Sequence, residues 1–322
     1  MSIVVTGAAG FIGSCIVRSL NDRGIKDIIA VDEMGSADEC ANLRDKTFLN
    51  YVRKDIFIKD LESMSGIEAI IHMGACSSTT EQNVEYLRKN NFEYTRDLWE
   101  YCADKNIPFI YASSAATYGD GSNGFDDRDD IDKLKPLNPY GNSKHAFDKW
   151  VKHEAVRFPS QHVGLKFFNV YGPNEYNKGS MASMVFHGYR QIRETGKIRL
   201  FKSYREGIED GEQKRDFVYV KDVCDVVMWF LDHPEVNGLY NVGTGRAQSF
   251  KELAEAVFAA LNIEPNIEYI EMPEVLKDKY QYYTKAEIGK LREAGFNGSF
   301  SDVLMGVNDY VKNYLSKEFE VY

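Results

Sequence analysis

Through the first half of the chain, short unbroken apolar runs alternate with longer stretches in which apolar residues recur at helical spacing. The runs are SIVVT from Ser2, DIIAVD ending at Asp32, EAIIHM ending at Met73, PFIYAS from Pro108 and HVGLKFF from His162. Between them lie helical patterns over 11–23, 81–104 and 140–158, and a polar loop after Asp32. A strand with both faces covered reads as a continuous apolar run, whereas a half-exposed strand alternates. The rhythm therefore predicts βαβ units and an α/β fold with a doubly wound parallel sheet. After 168 the pattern loosens, with helices expected at 180–195, 221–233, 249–261, 284–294 and 301–315. No repeat, low-complexity tract or Pro/Gly-rich linker separates the two regions, so a smaller α/β part is expected to be interleaved with the sheet. Its boundaries are placed at 168–213 and 246–299, leaving 1–167, 214–245 and 300–322 to the larger part. The acidic stretch REGIEDGEQ at 205–213 is expected to be a mobile surface loop.

Composition narrows this picture without changing it. At 322 residues the chain has room for about two domains at ~150 residues each. Its 43% hydrophobic and 27% charged residues are those of an ordinary globular protein. Apolar runs such as VCDVVMWFL fall short of the ~20 residues of a membrane-spanning helix, and the N-terminus opens directly on a strand, so a cytoplasmic location is expected. The five cysteines include no CxxC pair, which argues against both a zinc site and a disulfide framework, so no metal is expected. A net charge of −10 disfavours general affinity for nucleic acid or an anionic membrane. A small anionic ligand is still allowed, because local cations and helix N-termini can hold a phosphate against the average field.

The first candidate chemistry lies at the end of the first strand, where Gly7, Gly10 and Gly13 form GxxGxxG in GAAGFIG and a helix follows. A glycine-rich strand-to-helix turn can be mere packing. Here, however, the next strand ends at Asp32, where a carboxylate can accept both ribose hydroxyls of an adenosine, so a dinucleotide-binding Rossmann unit is expected. The sequence after that strand, DEMGSADE, places Asp32, Glu33, Asp38 and Glu39 where a 2′-phosphate would want a cation. The nearest cations are Arg44 and Lys54, so the local charge favours NAD over NADP.

A second constellation begins at Ser113-Ser114, at the end of FIYAS, and continues at Tyr140-Gly-Asn-Ser-Lys144. Tyr140 and Lys144 are i and i+4 and share a helix face. A free phenol, with a pKa of about 10, is a poor base at neutral pH; a nearby ammonium would favour its phenolate. An isolated YxxxK is usually a surface pair. Behind a nucleotide fingerprint and a strand-end serine, it reads as an acid/base unit.

Together these pieces resemble the extended short-chain dehydrogenase/reductase superfamily of nucleotide-sugar epimerases and dehydratases, over nearly the whole chain. The matching residues are GAAGFIG, Asp32, HMGACSSTT, Asn90-Asn91, SSAATYG, YGNSK, FNVYGP, the KRDFVYVKDV run and NVGTG. Within that superfamily, GACSSTTE, ASSAATYG, NVYGP followed by KGSMAS, and RDFVYV are most similar to the ADP-L-glycero-D-manno-heptose 6-epimerases. The resemblance implies an isomerase that oxidises C6 of an ADP-heptose to a ketone with a tightly held nicotinamide, then reduces it from the opposite face, in the synthesis of a lipopolysaccharide precursor. It implies Tyr140 and Lys178 as the two acid/base groups, Ser114 as a hydrogen-bond partner of the reacting oxygen, and Lys144 as the group orienting cofactor and tyrosine. The further cofactor contacts it implies are Phe11, Ile12, Asp32, Glu33, Lys54, the segment Met73, Gly74, Ala75, Cys76 and Ser77, then Asn90, Lys144, Val170 and Lys178. The substrate contacts would be Ser114, Asn169, Ser180, His187, Phe201, Arg215 and Tyr280. It further suggests NADP, against the local charge, and a homo-oligomer, a pentamer being one form.

Lys178 sits alone among polar residues in NEYNKGSMAS and would otherwise read as a solvated loop lysine. His187 could equally be structural, and Arg215 could be a surface ion pair with a neighbouring acid. Three positions depart from the family: Glu39 replaces a lysine, Met73 replaces an acid, and the 202–213 segment is longer and more acidic. A 4,6-dehydratase would carry acids where this chain has Ala115 and Ala116. A UDP-hexose 4-epimerase would not account for Lys178, and a cofactor-sensing scaffold would not be expected to retain Ser114, Tyr140 and Lys144 together.

Overall fold

The computed structural model describes residues 1–33, 40–154, 160–277 and 280–322. Asp38 and Glu39, and the end of the helix expected at 140–158, therefore lie outside the described residues. The five apolar runs become β1 (Ser2–Thr6), β2 (Ile28–Asp32), β4 (Ile67–His72), β5 (Phe109–Ser114) and β6 (His162–Phe167). Two further strands complete a seven-stranded parallel sheet: β3 (Asn50–Arg53) beside β2, and β11 (Gly238–Val242) beside β6. Both are edge strands, and β3 has no fully buried residue, so neither carries the continuous apolar run that marked the others. The strand order is β11-β6-β5-β4-β1-β2-β3. The direction of winding reverses between β1 and β4, and the crevice above their carboxyl ends is where open α/β sheets bind ligands.

Helices α1 (Phe11–Asp22), α2 (Lys54–Asp60), α3 (Tyr94–Lys105), α4 (Pro139–Glu154), α5 (Met184–Thr195), α6 (Val220–Asp232), α7 (Phe250–Leu261) and α8 (Val303–Asn313) cover the sheet and its neighbours. α3 continues a short turn at Val84–Leu87 through a π-helical segment at Arg88–Glu93. On one side, Ile16 and Val17 of α1 share a core with Val226 and Val227 of α6, Val257 and Phe258 of α7, and Val307 and Val311 of α8. On the other, Leu98, Trp99 and Cys102 of α3 pack with Phe147 and Val151 of α4 against Phe109 and Tyr111 of β5. Burying a side chain the size of Phe147 stabilises the fold by roughly 2–3 kcal/mol.

The looser half forms three two-stranded pairings: β7 (Asn169–Tyr171) with β10 (Phe217–Tyr219), β8 (Ile198–Phe201) with β13 (Ile267–Ile270), and β9 (Lys214–Arg215) with β12 (Gln248–Ser249). The helix expected at 180–195 starts only at Met184, because Ser183 caps it by accepting from the Phe186 N–H at 3.3 Å. The helix expected at 284–294 shrinks to Gly289–Glu293. Its first residues are drawn into other bonds: Thr284 N donates to Lys214 O at 3.2 Å, and Ala286 N to the Asp216 carboxylate at 3.0 Å. The acidic 205–213 stretch is a hydrogen-bonded turn, with Ser203 N on Asp210 Oδ1 at 2.7 Å and Lys251 N on Gly211 O at 3.0 Å. Among the described residues no helix is long and apolar enough to cross a membrane.

Candidate active site

The glycine turn divides its labour. A methyl group on Gly13 would stand 2.0 Å from Gly7 O, and one on Gly7, where φ is +66°, would stand 2.6 Å from Gly74 N. These two glycines let the turn pack on α1 and on the end of β4. A methyl group on Gly10 would meet only Gly7 O, at 3.2 Å, within the described surroundings, and Gly10 faces a cavity of about 380 Å³. The N-terminus of α1 has no side-chain cap and no acid in its first turn. Its free N–H groups and partial positive charge therefore suit a pyrophosphate at the lip of that cavity, which Phe11 and Ile12 also line. The donor set fits a dinucleotide.

Asp32 closes the other side of the turn. One carboxylate oxygen accepts from Ala9 N at 2.8 Å and the other from Glu33 N at 2.8 Å. Beside it lies a smaller recess of about 100 Å³, bounded by Asp32, Glu33, Lys54, Gly74, Ala75, Cys76 and Asn90. Lys54 forms an ion pair with Glu33 and donates to Asn90 Oδ1 at 2.7 Å. Twelve of the residues expected around the cofactor (Gly7, Gly10, Phe11, Ile12, Gly13, Asp32, Glu33, Met73, Gly74, Ala75, Ser77 and Lys178) line the larger cavity. Val170 lies half-buried in β7.

Asn91, the neighbour of Asn90, has a role that the sequence did not separate. Its carbonyl accepts from Cys76 N at 2.8 Å, and its amide donates to Cys76 O at 3.0 Å and to Ser143 Oγ at 3.0 Å. One buried side chain thus fixes the segment after β4 and ties it to α4. The π-helical widening at Arg88–Glu93 offers both asparagines in succession, as such bulges often do at functional sites. Beneath the same segment, His72 bridges Thr6 Oγ1 at 2.5 Å and Thr95 Oγ1 at 3.0 Å. Burial, helped by the charge of Lys144, lowers its pKa to about 3, so it is a neutral structural link.

Ser114, half-buried, ends β5, Tyr140, buried, lies in the first turn of α4, and their side chains are hydrogen-bonded. Burial raises the Tyr140 pKa, and the Ser114 hydroxyl opposes that rise. Lys144, one helical turn on, is 5% exposed and donates to Ala112 O at 2.9 Å; burial lowers its pKa to about 8. That bond ties the ammonium to a backbone carbonyl of β5, and the group acting favourably on the phenol is Ser114. One further turn along α4, Asp148 accepts from Ser113 Oγ at 2.7 Å and Lys166 Nζ at 2.8 Å. Lys166 also donates to Thr117 Oγ1 at 2.7 Å, and Thr117 Oγ1 to Ser114 O at 2.8 Å. This buried network locks the helix of Tyr140 to the strand end of Ser114. A lysine inside HVGLKFF gave the only sequence signal for it.

Lys178 lies on the loop between β7 and α5, half-buried, with Nζ 5.3 Å from the centroid of the Phe11 ring. Burial lowers its pKa and the charge of Glu175 raises it. Of the expected substrate contacts, Asn169 and Ser180 are exposed. His187 is half-buried on α5, its pKa lowered by burial and raised by a bond to the Ser180 backbone. A third group forms around Arg215, only 7% exposed, whose guanidinium lies 5.2 Å from the Tyr280 ring centroid and 5.6 Å from that of Phe250. Phe201 meets Tyr280 edge-on at 6.3 Å. Arg215 is therefore held by aromatic faces and by its bond to Lys214 O at 2.9 Å, and the alternative of a surface ion pair is set aside. Among the described residues, no group of three His, Cys, Asp or Glu side chains could hold a metal ion.

Known proteins match both the chain and this architecture. A sequence model of the NAD dependent epimerase/dehydratase family matches residues 3–243. The ADP-L-glycero-D-manno-heptose-6-epimerase of Fusobacterium nucleatum is 51% identical, with 98% of each chain covered. The protein of that name from Nitratidesulfovibrio vulgaris is 48% identical, covering 97% of this chain and 98% of its own. The crystal structure of ADP-L-glycero-D-manno-heptose-6-epimerase from Helicobacter pylori superposes with a TM-score of 0.83 at 28% identity, covering 97% of this chain and 95% of that one.

Proposed function

The chain belongs to the NAD dependent epimerase/dehydratase family, and on that footing we propose that it converts ADP-D-glycero-D-manno-heptose to its L-glycero epimer by oxidising C6 to a ketone and reducing it again. The observation that carries the proposal is the pairing of a buried Tyr140, bonded to the half-buried Ser114, with a second titratable group, Lys178, lining the same cavity as the glycine turn. When bound, the nicotinamide accepts the C6 hydride and returns it. The α1 N-terminus with Gly10, Phe11 and Ile12 would hold its pyrophosphate, Asp32 and Glu33 its adenosine ribose, and Lys144 the ribose near the reacting end.

The protein's own residues have to move one proton off the C6 hydroxyl as the ketone forms and one proton back as the opposite face is reduced. A single group placed on one side serves only one of these positions well. Tyr140, with Ser114 beside it, serves one, and Lys178 serves the other; burial lowers the pKa of Lys178, in the direction that favours a base. Ser114 also hydrogen-bonds the carbonyl oxygen. Arg215, clamped between Phe250 and Tyr280, presents its guanidinium edge to the diphosphate, and Asn169, Ser180, His187 and Phe201 complete the sugar contacts. Ala115 and Ala116 follow Ser114, so the described site has no acid there to expel a hydroxyl by elimination.

The division of labour that goes with this assigns 1–167, 214–245 and 300–322 to the cofactor and 168–213 and 246–299 to the sugar. NAD is the preferred cofactor: Lys54 is already paired with Glu33, so a 2′-phosphate would have to compete with that carboxylate. A homo-oligomer completes the proposal. Incubation with each C6 epimer separately, followed by proton NMR, tests the reaction. The same equilibrium mixture should arise from both sides without net change in cofactor oxidation state, and failure to interconvert them while cofactor is bound would refute it. Mass measurement of cofactor released by gentle denaturation separates NAD from NADP.

A further inference from the structure

Glu175 lies in the loop that carries Lys178 and is 1% exposed. Its carboxylate closes the loop on itself. Oε1 accepts from Gly172 N at 3.3 Å and from Ser183 Oγ at 2.6 Å, and Oε2 accepts from Ser183 N at 2.6 Å. One side chain therefore joins the exit of β7 to the N-cap of α5. Between these anchors, Lys178 N donates to Glu175 O at 3.1 Å, and Met181 N to Lys178 O at 3.0 Å. A neutral glutamine could serve a purely mechanical clasp almost as well, since burying an ionised carboxylate is costly unless its charge is used or fully satisfied.

We propose that Glu175 is a positioning residue for Lys178: its buried carboxylate fixes the loop at both ends and holds its negative charge on the same turn as the lysine that serves the second face of the sugar. The proposal rests on the assignment of Lys178 as an acid/base group. Tyr171 from β7, Tyr176 from the loop and Tyr310 from α8 surround Glu175, and Asp32 and Glu33 line the cavity that Lys178 enters. Burial lowers the proton affinity of the lysine and the Glu175 charge opposes that; burial also raises the Glu175 pKa, and the bonds it accepts from Ser183 and Gly172 oppose that rise. A group that must give and take a proton within one turnover needs that balance.

The test compares pH profiles of epimerisation for Glu175→Gln, Glu175→Asp, Ser183→Ala and Lys178→Met, each with bound cofactor and melting temperature measured. Glutamine can place its carbonyl at the Ser183 N–H; its amide then donates to Ser183 Oγ, reversing that bond, and the longest bond, to Gly172 N, is lost. In Glu175→Gln the profile should move to lower pH by about one unit, the low end for loss of a nearby opposite charge. Glu175→Asp and Ser183→Ala keep the charge and should lose rate at an unshifted profile. A Glu175→Gln profile that superimposes on the parent, while Lys178→Met is inactive, overturns the proposal. Should Glu175→Gln not fold, a Glu175→Asp profile displaced by about one unit overturns it, and an unshifted one supports it. Near-full activity of Lys178→Met instead removes the assignment on which the proposal stands.

Discussion

Replacing Asp148 by Asn should be among the most damaging changes of one functional group outside the cofactor cavity. Side-chain exposure of the Lys166–Asp148 pair is 2% and 0%, so the substitution leaves an ammonium in the interior without its counter-charge. Removing one partner of such a pair costs about 3–5 kcal/mol. The lower end applies, because Lys166 keeps Thr117 Oγ1 at 2.7 Å and the new amide oxygen can still accept one bond. About 3 kcal/mol is a large part of the roughly 5–15 kcal/mol that holds a typical domain folded. Equilibrium urea unfolding of the parent, Asp148→Asn, Lys166→Met and the double variant reads it. The double variant removes both charges and should recover more than ~1 kcal/mol relative to the sum of the singles. A cost below ~1 kcal/mol for Asp148→Asn, or strict additivity, would refute the claim that this pair bolts α4 to the end of β5.

Two further outcomes follow from the site. Gly13→Ala places a methyl group 2.0 Å from Gly7 O and should abolish folded yield, whereas Gly10→Ala should fold and lose cofactor affinity, by about tenfold or more; melting temperature and bound cofactor distinguish them. Lys144 has a folded pKa of about 8 against an unfolded value near 10.5. Between those values the unfolded chain holds a proton that the folded one has lost, so stability contributed by this group rises with pH from about 8 to 10.5. Lys144→Met should flatten that rise in urea melts at pH 7.5 and 9.5; an unchanged slope would contradict the depressed value.

The parts of this molecule that were legible in its sequence are those where one residue type has one physical reason to be there. Five strands buried on both faces announced themselves as apolar runs, and the GxxGxxG turn and the Tyr140–Lys144 spacing followed from chain geometry. β3 and β11 were missed because edge strands have no such run. A helix over 284–288 does not form, because apolar spacing says nothing about distant acceptors: Lys214 O takes the Thr284 N–H, the Asp216 carboxylate the Ala286 N–H and Phe125 O the Glu287 N–H. Buried charges were the hardest to see: Lys166, Asp148 and Glu175 look like surface residues until the fold supplies their partners. Arg215 was found as a candidate, but its aromatic clamp depends on Phe250 and Tyr280, far away in the chain.

The central claim is that C6 is oxidised and then reduced with the same hydrogen. An ADP-heptose carrying deuterium at C6, incubated with the protein in ordinary water and followed by NMR and mass spectrometry, tests it directly. Transient oxidation predicts that the epimerised product keeps its C6 deuterium. Wash-out of that deuterium into solvent at the rate of epimerisation would show that the bond is broken by proton abstraction, and would contradict the account.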